Sequence, residues 1–192
     1  MPLLQSHDAL AERPRRVLIA GTSGSGKTTF AARVAHELGI PHVEIDSLFH
    51  GPDWTPRESF ETDVRKFSEG PRWVTEWQYG VVRDVLAQRA DLLVWLDLTR
   101  ATVMYQVTRR TLRRRLHHEV LWNGNVEPPL KTIFTDGQHI VRWAWKTHDK
   151  TALKIATLQE QLPELPIVRL RSRSDARRWL HGPLHRARSS TA

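Results

Sequence analysis

Gly21-Thr-Ser-Gly-Ser-Gly26-Lys27-Thr28 is a complete G-x-x-x-x-G-K-[ST] pattern, and it leaves the chain few ways to fold. Its glycines let the backbone turn successive N–H groups inward, and a helix N-terminus behind them adds partial positive charge. That arrangement needs a strand leading into the turn and a helix leading out of it. Arg16-Val-Leu-Ile-Ala20 is a short apolar run closed by glycine and reads as a buried strand. From Lys27 onward Phe30, Val34, Ala35 and Leu38 fall at helical spacing, and Gly39 stops the helix.

The rest of the chain repeats the alternation. Strands are expected at His42–Ile45, Trp73–Trp77, Asp91–Asp97 and Leu165–Leu170, and helices at Arg57–Phe67, Val81–Ala90, Arg100–His118, Asp136–Leu162 and Ser174–Leu180, the last capped by Ser172 or Ser174. Trp122-Asn-Gly-Asn-Val-Glu-Pro-Pro129 has no period and fits neither element. Short buried strands alternating with helices imply a five-stranded parallel sheet with helices on both faces, the α/β class, and an arginine-rich helical lid over residues 109–142. Residues 1–14 read as a disordered leader, 15–182 as one domain and 183–192 as a disordered basic tail.

Charge limits the partners. The 192 residues carry a formal net charge of +8, and six arginines lie between Arg100 and His118 with no acid among them. Such a surface attracts phosphorylated small molecules, nucleic acid or anionic membrane. A nucleic-acid partner is not favoured, because no helix-turn-helix or similar reading module is evident. No apolar run reaches the roughly 20 residues that span a bilayer, and no secretory signal precedes Arg16. With no cysteine, disulfides and cysteine-based metal sites are excluded. The expectation is a cytoplasmic protein, monomer or homodimer, acting on a small molecule.

Within the loop, Gly21, Ser23, Gly24, Ser25, Gly26, Lys27, Thr28 and Thr29 are the candidate nucleotide-binding residues. Lys27 is placed to reach β- and γ-phosphate oxygens and the Thr28 hydroxyl to ligate magnesium, so ATP and Mg2+ are the expected cofactors. The D-x-x-G and N-K-x-D sequences of translation-type GTPases and the L-S-G-G-Q of ABC ATPases do not occur, which leaves small kinases.

In order along the chain, the loop, Val43-Glu-Ile-Asp46, Leu96-Asp97-Leu-Thr-Arg100 and the arginine-rich segment resemble nucleoside-monophosphate and shikimate-type kinases. Ile45-Asp46-Ser-Leu-Phe-His50, Trp73-Val-Thr-Glu76-Trp-Gln-Tyr79-Gly80 and Leu170-Arg171-Ser172-Arg173 are similar to the adenylate-kinase-related proteins labelled DNA topology modulation proteins. The resemblance implies a P-loop kinase. It gives Asp46 a magnesium-bound water or the acceptor hydroxyl's proton. It also gives phosphate or base contacts to Arg109, Arg110, Arg113, Arg142 and Arg171, with Lys27, Asp46, Arg109, Arg113 and Arg142 as the catalytic set. Arg57, Glu76, Tyr79 and Arg83 are candidates for the acceptor side. Asp97 reads as structural, with a water-mediated magnesium contact as the alternative. Adenylate kinases carry G-x-P-R where this chain has Glu76-Trp-Gln-Tyr79-Gly80, which argues against an AMP site.

The expected activity is ATP/Mg-dependent transfer of the γ-phosphoryl group to a nucleotide- or nucleoside-like acceptor. Two alternatives stand beside it: a kinase of a non-nucleotide hydroxyl metabolite, of shikimate or gluconate type, and an ATP-switched nucleic-acid-associated regulator.

Overall fold

The computed structural model describes residues 3–116, 122–125, 145–146 and 148–189. Its centre is a five-stranded parallel sheet in the order β1-β5-β4-β2-β3, built from Leu3–Leu4 (β1), Arg16–Gly21 (β2), Trp73–Glu76 (β3), Leu92–Leu96 (β4) and Ile167–Leu170 (β5). β2, β3 and β4 bury almost every side chain on both faces, the signature of strands covered by helices above and below.

One face is covered by Lys27–Leu38 (α1) and by Arg173–Trp179 (α7) with the turn Leu180–Leu184 behind it. Phe30, Val34 and Leu38 pack there with Trp179 against Val17, Ile19 and Val94. The other face is covered by Phe60–Ser68 (α3), Gly80–Arg89 (α4) and Lys150–Gln161 (α6), whose Val64, Leu86 and Ile155 meet Leu18, Trp73 and Trp95. Arg100–Leu116 (α5) packs Val103 and Val107 beneath the loop that follows β2.

The strand set differs from the expected one. Val43–Ile45 makes no regular strand: His42 bridges Val74, Val43 N donates to Val74 O (2.9 Å), and the chain turns at once into a short helix, Ile45–Phe49 (α2). The fifth strand comes instead from the segment expected to be disordered, since Leu3 and Leu4 pair with Ile167 and Val168. A two-residue strand carries no readable period, so only its partner β5 reveals it. The tail also differs. Leu184 and Ala187 are buried, and His185–Ser189 forms a final helical turn (α8) whose His185 contacts Glu37 at 2.6 Å. The helix expected from Arg57 begins at Phe60, because Arg57 N is taken by Phe49 O (2.9 Å) in the preceding turn. Of the helix expected over 136–162, Lys150–Gln161 is observed and residues 136–144 lie outside the described residues.

Candidate phosphoryl-transfer site

Parallel strands deliver all their carboxyl ends to one edge, where ligands bind in open α/β sheets. Here β2 runs into Thr22–Gly26, β3 into Trp77–Tyr79, β4 into Asp97–Thr99 and β5 into Arg171–Ser172.

The loop after β2 has the geometry of an anion cradle. Gly24 and Gly26 take φ of 84° and 89°, which disfavours a side chain at either, and a Cβ on Gly24 would lie 2.7 Å from Val107 Cβ. Thr22 O accepts from Ser25 N at 3.1 Å and from Lys27 Nζ at 3.2 Å, so the loop closes on itself. Among the described residues the N–H groups of Gly24, Gly26, Lys27 and Thr28 have no acceptor, as the first turn of a helix requires. The hydroxyls of Thr22 and Ser25 are buried with no partner among the described residues. Orphaned donors converging on one glycine-lined hollow fit a polyphosphate. Ser23 and Thr28 are half-buried at its rim, Thr28 with its hydroxyl on the first turn of α1, while Thr29 is exposed.

Burial pushes the Lys27 ammonium below its usual range, with Arg110 and Lys154 acting the same way and Asp46 and Glu76 opposing them. These charges therefore share one electrostatic neighbourhood. Of the arginines on α5, Arg110 is the one whose charge acts on Lys27, whereas Arg109 and Arg113 are exposed. Arg142 lies outside the described residues, as does most of the expected lid. Arg171 is exposed, and its backbone N donates to Asp175 Oδ2 (3.2 Å); it is Arg173 that reaches back toward the loop.

Asp46 sits in the first turn of α2 rather than at a strand end. Its Oδ1 accepts from the Gln78 side-chain amide and from Tyr79 OH (2.6 Å), and Oδ2 has no hydrogen-bond partner among the described residues. Tyr79 OH also lies 3.2 Å from His50 Nε2. A tyrosine has one proton and a carboxylate only accepts, so the imidazole must donate here and Nε2 carries hydrogen. Burial holds His50 below the usual histidine range, against the pull of Asp46, which keeps it neutral. The Tyr79 phenol is pushed up by burial and by the Asp46 charge, so it stays a donor. Tyr79 adopts φ 60°, ψ 108°, an unfavourable backbone for a bulky residue, and its ring stacks on Phe49 at 4.0 Å. Strain of this kind persists where the surroundings demand one side-chain position.

Other acceptor-side candidates have different roles. Glu76 is 1% exposed, with Oε1 3.2 Å from His42 Nε2 and Oε2 accepting from Ile45 N at 3.0 Å. Both oxygens are engaged in fastening the chain ahead of α2 to the sheet, so its influence on Lys27 is by charge alone. Burial pushes its carboxyl up, but the His42 and Ile45 hydrogen bonds outweigh that and hold it below the usual range. Glu76→Gln is expected to lower stability by about 1–3 kcal/mol, the cost of a broken buried hydrogen bond. Because the folded carboxyl is the stronger acid, its contribution is present above the ordinary glutamate range and lost as pH falls through it. Thermal melts of both proteins at neutral and acid pH check this: the difference between them shrinks on the acid side.

Arg57 is held by Asp63 (3.1 Å), Ser59 (3.2 Å) and Leu48 O (3.4 Å), which makes it the tie of its own turn. Arg83 lies 5.7 Å above the Trp77 ring, and Trp77 Nε1 donates to Arg83 O (3.1 Å), so this tryptophan is core rather than a stacking platform for ligand. Asp97 is paired with Arg169 (2.5 Å), as its structural reading expects.

Residues that sequence reasoning passed over complete the pocket. His50 and Gln78 bracket the Asp46 hydrogen-bond group. Asn123 donates to His50 O (2.5 Å), and Asn125 donates to Gly51 O (2.9 Å) and accepts from Trp54 N (3.0 Å), pinning the turn beside Trp54. Lys154 on α6 has its ammonium pushed down by burial and by Arg83 and Lys150. The signals for Gln78 and His50 were their places one residue before Tyr79 and four after Asp46; Asn123, Asn125 and Lys154 come from distant segments and had none.

No protein-family model and no curated protein matches the chain. Among solved structures it is similar to a gluconokinase from Sinorhizobium meliloti 1021, at 18% identity over 93% of this chain and 96% of that one, with a TM-score of 0.47. It is also similar to shikimate kinases from Bacteroides thetaiotaomicron (14% identity, 88% and 95% covered, TM-score 0.44) and from Acinetobacter baumannii in complex with shikimate (13%, 93% and 90%, TM-score 0.44). At this level of similarity nothing about this chain's substrate follows from theirs. Among the described residues, no helix is long and apolar enough to cross a membrane.

Proposed function

We propose that the chain is an ATP- and magnesium-dependent kinase that transfers the γ-phosphoryl group to a hydroxyl of a small metabolite. The observation that carries this reading is the Asp46 carboxylate, fixed through one oxygen with the other free of hydrogen bonds among the described residues, in the electrostatic neighbourhood of Lys27.

A phosphate acceptor such as a nucleoside monophosphate has no proton to give up at neutral pH, and a nearby carboxylate repels it. An alcohol acceptor must lose its proton as the new P–O bond forms, and a positioned carboxylate takes it. The open Oδ2 of Asp46 therefore favours a hydroxyl acceptor over a nucleotide one. The missing G-x-P-R segment points the same way.

The roles follow from the side chains. The inward N–H groups of Gly24, Gly26, Lys27 and Thr28 bind the polyphosphate, and Lys27 and Arg110 face the charge that builds on the transferred group. The Thr28 hydroxyl is the residue to hold magnesium, which when bound neutralises phosphate charge and orients the nucleotide. Asp46 orients the acceptor hydroxyl and takes its proton at Oδ2. Gln78 and Tyr79 keep that carboxylate aimed.

The test is ADP release against a panel of sugars, sugar acids, cyclitol acids, nucleosides and nucleoside monophosphates, with Lys27→Ala as control. Turnover of an alcohol with the monophosphates inert supports the reading; turnover of a monophosphate with the alcohols inert sinks it. With the acceptor in hand, Tyr79→Phe is expected to lower kcat about tenfold or more while leaving KM for ATP near its original value, since it removes one bond that aims Asp46. Steady-state kinetics with each substrate varied separately will show whether the loss sits in kcat.

A further inference from the structure

The phosphate loop is braced from outside by a residue that is neither glycine nor cation. Gln106 lies one residue before Val107, whose side chain packs directly against Gly24. Only one orientation of its amide satisfies its surroundings: Nε2 donates to Gly24 O at 3.1 Å, and Oε1 accepts from Arg173 Nε at 3.2 Å and Nη2 at 3.3 Å. The same amide lies 3.6 Å from where a Cβ on Gly26 would stand. Arg173 opens α7 directly after its cap Ser172, and it has no carboxylate partner among the described residues.

These contacts clamp one peptide plane from both sides. The 24–25 peptide sends its carbonyl out to Gln106 and its N–H in to Thr22 O (3.1 Å). A glycine at φ 84° has little intrinsic preference for this orientation over its peptide-flipped alternative. Flipped, the plane would turn the Gly24 carbonyl toward Thr22 O and break the Ser25 N–H bond that closes the loop around Lys27, and two facing carbonyl oxygens repel. The amide of Gln106 is suited to this role because it can donate to the loop and accept from Arg173 at once, which a carboxylate or an ammonium cannot do.

We propose that Gln106, held by Arg173, is a positioning residue that keeps the phosphate loop in its anion-accepting form and so sets affinity for the polyphosphate. The inference rests on the reading of Gly21–Thr28 as the nucleotide-phosphate site and extends it to two residues on α5 and α7. It joins the loop to the element after β5 across the top of the sheet.

The test is binding rather than turnover, with ATP, inorganic tripolyphosphate and adenosine as probes in titration calorimetry. Gln106→Ala is expected to weaken ATP and tripolyphosphate by about tenfold, the worth of one hydrogen bond plus loop reordering, and to leave adenosine unaffected. Gln106→Glu keeps the acceptor toward Arg173 but loses the donor toward Gly24, so it should weaken polyphosphate at least as much. Arg173→Ala should reproduce the Gln106→Ala loss, and the double variant should lose little more than either single one. A merely structural role would lower all three affinities together with the melting temperature of the free protein. Full additivity of the two changes, or unaltered tripolyphosphate binding in Gln106→Ala, overturns the proposal. Lys27→Ala separates the two readings. If Lys27→Ala also binds tripolyphosphate normally, the phosphate-site reading itself has failed. If it binds weakly while Gln106→Ala binds normally, only the brace has failed. Should Gln106→Ala not fold, the exposed Arg173→Ala carries the same comparison.

Discussion

Lys27→Ala is expected to reduce phosphoryl transfer by at least about a thousandfold, the scale set by removing a principal charge-stabilising group from a transition state. Lys27 Nζ rests on Thr22 O at 3.2 Å, inside the loop it serves, with burial working against its charge. An incoming polyphosphate adds counter-charge to that of Asp46 and Glu76, so binding energy and catalytic stabilisation both pass through this ammonium. Kinetics on the acceptor found by the panel give the fall in kcat/KM, and tripolyphosphate titration gives the loss in the ground state. A variant with near-normal transfer would remove the loop from the mechanism.

Asp46→Asn is expected to lower kcat by about 10²–10⁴, the usual range for a positioned general base. The amide is nearly isosteric, so ATP affinity should change little, and that contrast separates the base from the nucleotide site. The variant should also lose the two donors' preferred partner: Gln78 and Tyr79 both give hydrogen to Oδ1, and an amide can satisfy them only through its oxygen. A modest stability loss of about 1 kcal/mol is therefore expected beside the kinetic one. If kcat falls by less than a factor of a few, the acceptor needs no base, and a phosphate acceptor regains the advantage.

The two substitutions act on opposite halves of one edge. In the proposed reading Lys27 serves the donor and Asp46 the acceptor, and the Asp46 charge acts on Lys27. Neutralising Asp46 removes a charge that supports the Lys27 ammonium, so the two effects are expected to be non-additive by the logic of neighbouring charges.

How legible this was differs by element. The loop could be read residue by residue because its chemistry is local: glycine freedom, a lysine and a hydroxyl are needed at fixed offsets, with a strand before and a helix after. β2, β3, β4 and β5 and their covering helices followed from apolar runs, since strands buried on both faces need apolar residues at nearly every position. Asp46 was legible through its place after a short apolar segment, although that segment proved to be a bridge and a helical turn. β1 was invisible, because two residues in a strand take their conformation from the partner β5.

The sequence by itself determined the sheet's class and the phosphate loop that carries Lys27 and Thr28, both consequences of short-range period and fixed spacing, while Asp46 was singled out through the resemblance. Only the tertiary structure decided which polar groups meet. It assigned Glu76 to His42 and Ile45, and Arg57 to Asp63. It also brought the charge of Arg110 to bear on Lys27 while leaving Arg109 exposed, and joined Tyr79 to His50, and Gln106 to Arg173. A hydrogen bond between groups about 30 or 70 residues apart leaves no trace in local composition, since it exists only where packing of the apolar faces has already brought the two segments together.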